Sequence, residues 1–232
     1  MKRLRKAYRY HLKLQQFLFR GKNNSKWLLL SLIVLLIIPI PVYVLPDLKA
    51  MIFQVTLSFV VFTGIQLISN SVRHFLIGLI MGSIAIIFIW LGVQTGQWGI
   101  LKFFRVFFTS IFLTFLGYRL FSIIWKSKRI TLNIISAAIS GYFLIGLFGG
   151  QLCQFIHLWI PGSYNLENGS EMYQLTYFSF TTLTSLGFGD VLPLTPPVQS
   201  LALLIGITGQ LYLTILVAML VGKYLIQEPV AG

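Results

Sequence analysis

The sequence predicts an all-α integral membrane protein with six transmembrane helices. A short re-entrant helix and an extended loop lie between the fifth helix and the sixth. Three observations carry that prediction. Of 232 residues, 56% are hydrophobic and only 10% charged, too little polar surface for a soluble domain of this length. Apolar runs recur at about the 20 residues needed to cross a hydrocarbon core. Basic residues gather at alternate ends of those runs, as the positive-inside bias asks.

The expected spans are Trp27 to Val44, Met51 to Ser69, His74 to Gln94, Gly99 to Trp125, Leu132 to Trp159 and Pro197 to Gly222. Pro39-Ile40-Pro41 is expected to kink the first near its outer end, and Pro46 follows beyond it. The first apolar run starts at Trp27 and is too long for a cleavable signal peptide. The chain divides into a basic cytoplasmic arm (1–26), a four-helix transmembrane domain (27–126), a second transmembrane domain (130–224) and a short cytoplasmic tail (225–232).

The net charge of +13 raises the possibility of nucleic acid, but its placement argues for topology instead. Nine basic residues from Lys2 to Lys26 precede the first span; Arg73 follows the second, Lys126, Lys128 and Arg129 the fourth, and Lys223 the sixth. Both termini are therefore expected in the cytoplasm, with Gly189 and Asp190 outside, in a multi-pass protein of the plasma membrane. Tyr8, Tyr10, Leu14, Phe17, Leu18 and Phe19 interleave with the basic arm. It suits an interfacial helix on anionic lipid, or equally a topogenic tail. Gly78 with Gly82, and Ala137 with Gly141, have the spacing of close helix contacts. Cys153 stands alone, and His11, His74 and His157 have no metal-ligand spacing.

Between the last two spans, a polar outer loop from Pro161 to Glu171 leads to a short helix of about Met172 to Thr184 and then to Ser185-Leu186-Gly187-Phe188-Gly189-Asp190. A half-crossing segment is tolerated only where protein buries it or it lines a water-filled cavity. Gly187 and Gly189 accept left-handed backbone angles, which let successive carbonyls face one axis.

This run resembles the selectivity filter of the tetrameric potassium channel family, which usually reads Thr-Val-Gly-Tyr-Gly followed by Asp. From Leu132 to Tyr224 the chain is similar to that family's pore module. The resemblance implies potassium sites on the carbonyls of Ser185, Leu186, Gly187 and Phe188, with the Ser185 hydroxyl at the innermost, and Gly189 closing the strand. It implies support from Tyr177, Phe178, Thr181, Thr184 and Asp190, with Leu186 packed behind the strand and the short helix's last carbonyls aimed at a central cavity. It places a hinge at Gly209, and Leu213, Val217 and Val221 along the cytoplasmic half of the pore. Gly206 and Gly222 are expected as close-packing positions. One strand gives one wall, so a homotetramer is implied. No cofactor and no catalytic residue are implied; the only ion is the permeant potassium.

The departures from the family pattern have consequences. Phe188 lacks the phenol that would bond to an aromatic cuff, and Ser185 lacks the methyl that stiffens threonine at χ1. Weaker discrimination against sodium is expected, and a nonselective cation channel of the same fold is the alternative. Lys102 and Arg105 have the spacing of a voltage sensor, but Phe108 and Ile111 follow them. Moving one charge through the field is worth about 2.3 kcal/mol per 100 mV, so steep gating needs several. The first three spans hold no Asp or Glu. Lys102, Arg105 and Arg119 are expected to snorkel to the interfaces, and voltage dependence to be weak or absent. Gly187-Phe188-Gly189-Asp190 also fits the GxGD pattern of intramembrane aspartyl proteases, but the only other aspartate is Asp47 in an outer loop, so no dyad forms.

Overall fold

The computed structural model describes residues 25–37, 49–68, 72–94, 99–127, 129–167 and 170–227. Seven helices run through them: α1 (Ser25–Ile37), α2 (Lys49–Ile68), α3 (Val72–Gln94), α4 (Gly99–Lys126), α5 (Leu132–Trp159), α6 (Glu171–Leu183) and α7 (Pro196–Gln227). Five of them, α2 to α5 and α7, are long and apolar enough to cross a membrane. The first expected span is represented by α1, whose 13 residues rise about 20 Å against a hydrocarbon core of about 30 Å. The proline-rich end of that span, the arm from 1 to 24 and Lys128 lie outside the described residues.

α1 to α4 pack in sequence, and both α1 and α4 also lie against α5, which carries α6 and α7 on its other side. The chain therefore has two cores. Leu32, Leu57, Val61, Phe112 and Leu116 centre the first, and Cys153, Leu175, Phe178, Leu183, Val198 and Ile205 the second. Lipid is as apolar as leucine, so specificity between the early helices comes from shape and from buried polar pairs. Ser31 and Thr63 share a hydrogen bond of 2.9 Å, and Gln54 donates to the Ile89 carbonyl at 2.9 Å. Gly82 lies so close to Ile65 and Val61 that a side chain would collide, whereas Gly78 makes only ordinary contact with Ile68.

α5 begins and ends at Leu132 and Trp159, as expected from sequence. Its Gly146, Gly149 and Gly150 face α6, where Phe180, Ser179 and Thr176 leave no space for a Cβ. Ser179 then reaches the Gly146 carbonyl at 2.8 Å. Against α7, Tyr212 donates to the Ala138 carbonyl at 2.6 Å, and its hydroxyl occupies the space where Gly141 would carry a side chain.

At the opposite end of α7, Lys223 Nζ donates to the carbonyls of Ile124 and Ser127 at 2.8 Å and of Trp125 at 3.3 Å. These include carbonyls left unpaired where α4 ends, and a cation suits the negative end of that helix. The bonds put Lys126, Ser127 and Lys223 at one end of the molecule. Lys223→Met should lower the thermal midpoint of the solubilised protein, removing about 1.5–3 kcal/mol of charge-assisted bonding. An unchanged melting curve would show that the contact contributes nothing.

Candidate functional site

The site is built at the end of α6. At its start, Ser170 caps the helix, its hydroxyl accepting from the Tyr173 amide at 3.5 Å, and Glu171 lies in the positive first turn. The helix is 13 residues long, about 20 Å, and ends at Leu183. There it closes with a left-handed residue. Ser185 has φ +61°, its amide bonds to the Thr182 carbonyl at 3.1 Å, and the Leu186 amide bonds to Thr181 at 2.9 Å. That pair of bonds is the Schellman ending, in which glycine is the usual residue. A serine there carries strain of about 1–2 kcal/mol.

Sign alternation of φ continues along the run: Gly187 is at +53° and Gly189 at +80°, with Leu186 and Phe188 outside the positive region. The Gly187 amide also returns to Thr181, at 3.2 Å. In a trans peptide the carbonyl points opposite to the amide of the next residue. Amides of 185, 186 and 187 turned back toward α6 therefore turn the carbonyls of Thr184, Ser185 and Leu186 away from it, side by side. Among the described residues, none donates to the carbonyls of Ser185, Leu186, Gly187 or Phe188. What results is a short ladder of unpaired oxygens on an exposed face, suited to a desolvated cation.

The expected supporting residues divide. Thr181 and Thr184 hold the turn, Thr181 by its carbonyl and Thr184 through its hydroxyl to Phe180 O at 2.7 Å. The nearby Tyr177 hydroxyl holds the Asp190 carboxyl below the usual carboxylate range. The Asp190 carboxylate also accepts the Val191 amide at 3.1 Å. Phe178 faces elsewhere: it is buried edge-on against Tyr164, with ring centroids 5.3 Å apart, and supports α6 from behind. Leu186 and Phe188 stand 62% and 66% exposed, so within one chain nothing packs behind the strand.

The last carbonyls of α6 were expected to aim at a cavity, yet those of Phe180 to Leu183 are already engaged. Phe180, Thr181 and Thr182 accept the amides of the following turn, and Leu183 accepts the Tyr142 hydroxyl at 3.2 Å. Gly209 presses on that same Leu183 carbonyl so closely that a Cβ would overlap it. α7 runs without interruption through this position, so the close approach accounts for the glycine without a bend. Gly206 has room for a side chain and Gly222 has nothing within 4 Å, contrary to the close packing expected of them. Leu213, Val217 and Val221 are exposed along one face of α7.

Sequence reasoning missed several residues. Asn165 binds the far side of the run, accepting the Leu192 amide and donating to the Asp190 carbonyl at 3.3 Å. The outer loop pairs there with the exit strand, through a bridge between Tyr164 and Pro193. Gln210 donates to the Ser185 hydroxyl at 2.8 Å. Arg105 was expected to snorkel, but its guanidinium turns inward, to Gln154 Oε1 at 3.2 Å and to the Met172 sulfur. Lys102 pairs with Glu171 at 3.6 Å. The reason is local: α4 packs on α5, and the start of α6 supplies the acceptors. Only a hydroxyl or amide in an otherwise apolar run hinted at Gln210; Asn165 carried no signal.

Gly209→Ala should destabilise the protein by about 1–3 kcal/mol through overpacking, read as a lower thermal midpoint, while Gly222→Ala leaves it unchanged. Equal midpoints for the two would remove the packing argument. The Asp190 contribution follows from its lowered pKa. It is intact above the ordinary carboxylate value near ~3.9 and is lost as outer pH falls through the lowered folded value. Tyr177→Phe should move that acid loss upward toward pH ~4, measured as the thermal midpoint against pH.

Residues 130–226 match a family model described as an ion channel. No curated protein and no solved structure matches the chain. The match covers α5, α6, the carbonyl ladder and α7, and it supports an ion channel domain over that part of the chain.

Proposed function

We propose that the chain is a potassium channel subunit. Four copies assemble around an axis, and potassium passes without chemistry along the carbonyls of Ser185, Leu186, Gly187 and Phe188. The observation that carries this reading is the turning of three successive amides back onto α6, which faces the carbonyls of Thr184, Ser185 and Leu186 away from it, while no described residue donates to the carbonyls from Ser185 to Phe188. In a bilayer such oxygens are costly unless an ion or water answers them. One strand answers an ion from one side only, so further copies are needed and closed symmetry supplies them.

α7 supports assembly too. It buries one stripe, Val198, Leu201, Ile205 and Gly209, and exposes Leu203, Leu204, Ile207, Leu211 and Ile215. Gln210 and Thr214 lie on that same exposed face beside Leu203 and Ile207, and polar groups in a membrane helix usually face protein or water. Leu213, Val217 and Val221 would line the inner half of the conduit. The chain would sit in the plasma membrane with both ends cytoplasmic and its basic arm near anionic lipid. Lys102 and Arg105 are tied to the start of α6 and its surroundings, which leaves no ladder of free charges to move, so voltage dependence would be weak.

Purified protein in liposomes bearing a potassium gradient tests the reading. Expected are potassium flux that barium blocks, a cross-linked species of four chains, and conductance that changes little with voltage. Equal passage of sodium and potassium would establish the nonselective channel instead, and a monomer without flux would overturn the reading altogether.

A further inference from the structure

Ser185 carries the only side-chain oxygen between Ser185 and Gly189. Serine has three open χ1 rotamers, where the branched methyl of threonine leaves fewer. A hydroxyl free to rotate would make a poorly defined cation ligand. Its environment fixes it: Gln210 Nε2 donates to Ser185 Oγ at 2.8 Å.

That bond follows from the packing. Gly209 lets α7 touch the Leu183 carbonyl, and the next residue therefore arrives level with Ser185, the second residue after α6. One turn on, Thr214 turns its own hydroxyl back to the Gln210 carbonyl at 2.8 Å, so it does not compete for the amide. A cleft of about 700 Å³ adjoins the pair, and Thr182, Gly206, Ile207 and Leu211 are among its lining residues. Ser185 and Gln210 line it too and are exposed, so their bond is fixed by the position of α7 and not by burial. A hydroxyl oxygen has two lone pairs. Accepting one bond from Gln210 leaves the second for a cation and directs the hydroxyl hydrogen elsewhere.

We propose that Gln210 is a specificity-determining residue: its amide holds the Ser185 hydroxyl in one orientation and supplies the stiffness that a threonine methyl would give. The assignment rests on the conduction reading above. In the assembled channel, four amides would form a ring directly beneath four hydroxyls, and the innermost cation site would keep a fixed size and a fixed set of oxygens.

The test is the potassium-to-sodium permeability ratio, from reversal potentials or paired fluxes in liposomes, for the native chain, Gln210→Leu, Ser185→Thr, and Gln210→Leu combined with Ser185→Thr. Gln210→Leu should lower the ratio roughly fivefold, about 1 kcal/mol, the net worth of one hydrogen bond. Adding Ser185→Thr should restore most of it, because the branch fixes χ1 without the amide. The branch also adds strain at φ +61°, so Ser185→Thr alone is the reference against which the restoration is read. A merely structural Gln210 would not respond to a methyl group placed on the other helix. An unchanged ratio in Gln210→Leu, or a fall that Ser185→Thr fails to restore, overturns the assignment while leaving conduction standing. Should the leucine variant fail to assemble, Gln210→Met, closer in shape, carries the same comparison. A native chain that passes no cation overturns the conduction reading beneath it.

Discussion

A run of backbone that leaves its helix must find other partners for its amides, and the packing around Ser185 to Gly189 answers that constraint. The amides of Ser185, Leu186 and Gly187 are satisfied by carbonyls of the helix that delivers them. Planar trans peptides then force the matching carbonyls to the other side. A helix ending and a row of free carbonyls are thus one structure. The left-handed angle at Ser185 both closes α6 and starts the alternation that Gly187 and Gly189 continue.

Holding that ending in place falls to α5. Its glycines admit α6 at backbone distance, and its tyrosine hydroxyl at 142 fixes the Leu183 carbonyl from one side while Gly209 of α7 bears on it from the other. Three helices therefore meet at one carbonyl, immediately before the ladder. Because packed interiors do not deform smoothly, a small shift of α7 is felt at Ser185 through Gln210 and at Leu183 through Gly209. The outer side of the run is held independently, by Asn165 and by the Tyr177–Asp190 contact.

The charges near the outer end of α4 join the two cores. Arg105 and Lys102 reach the start of α6, and Lys223 reaches back from α7 to the end of α4. The first four helices are thereby fastened to the last three at both ends of the molecule. Groups that resembled a sparse voltage sensor serve as ties, since each has its partner on the neighbouring domain.

The amino-acid sequence by itself determined the membrane class, the helices of four of the six expected spans to within three residues at either end, the short helix between α5 and α7 and the special run after it. Hydropathy over about 20 residues and glycine's tolerance of positive φ are local properties, legible without a fold. α7 ran five residues beyond its expected end, because an apolar helix has no local signal saying where lipid stops. Only the tertiary structure decided that Ser185 takes a glycine's angle, that Gly209 is held by contact, and that Arg105 turns inward. It alone brought Gln210 to Ser185 and Asn165 to Asp190, across 25 residues in each case. Such pairs are invisible in sequence because a serine, glutamine or asparagine looks the same whether it meets lipid, water or another helix; helix packing selects its partner.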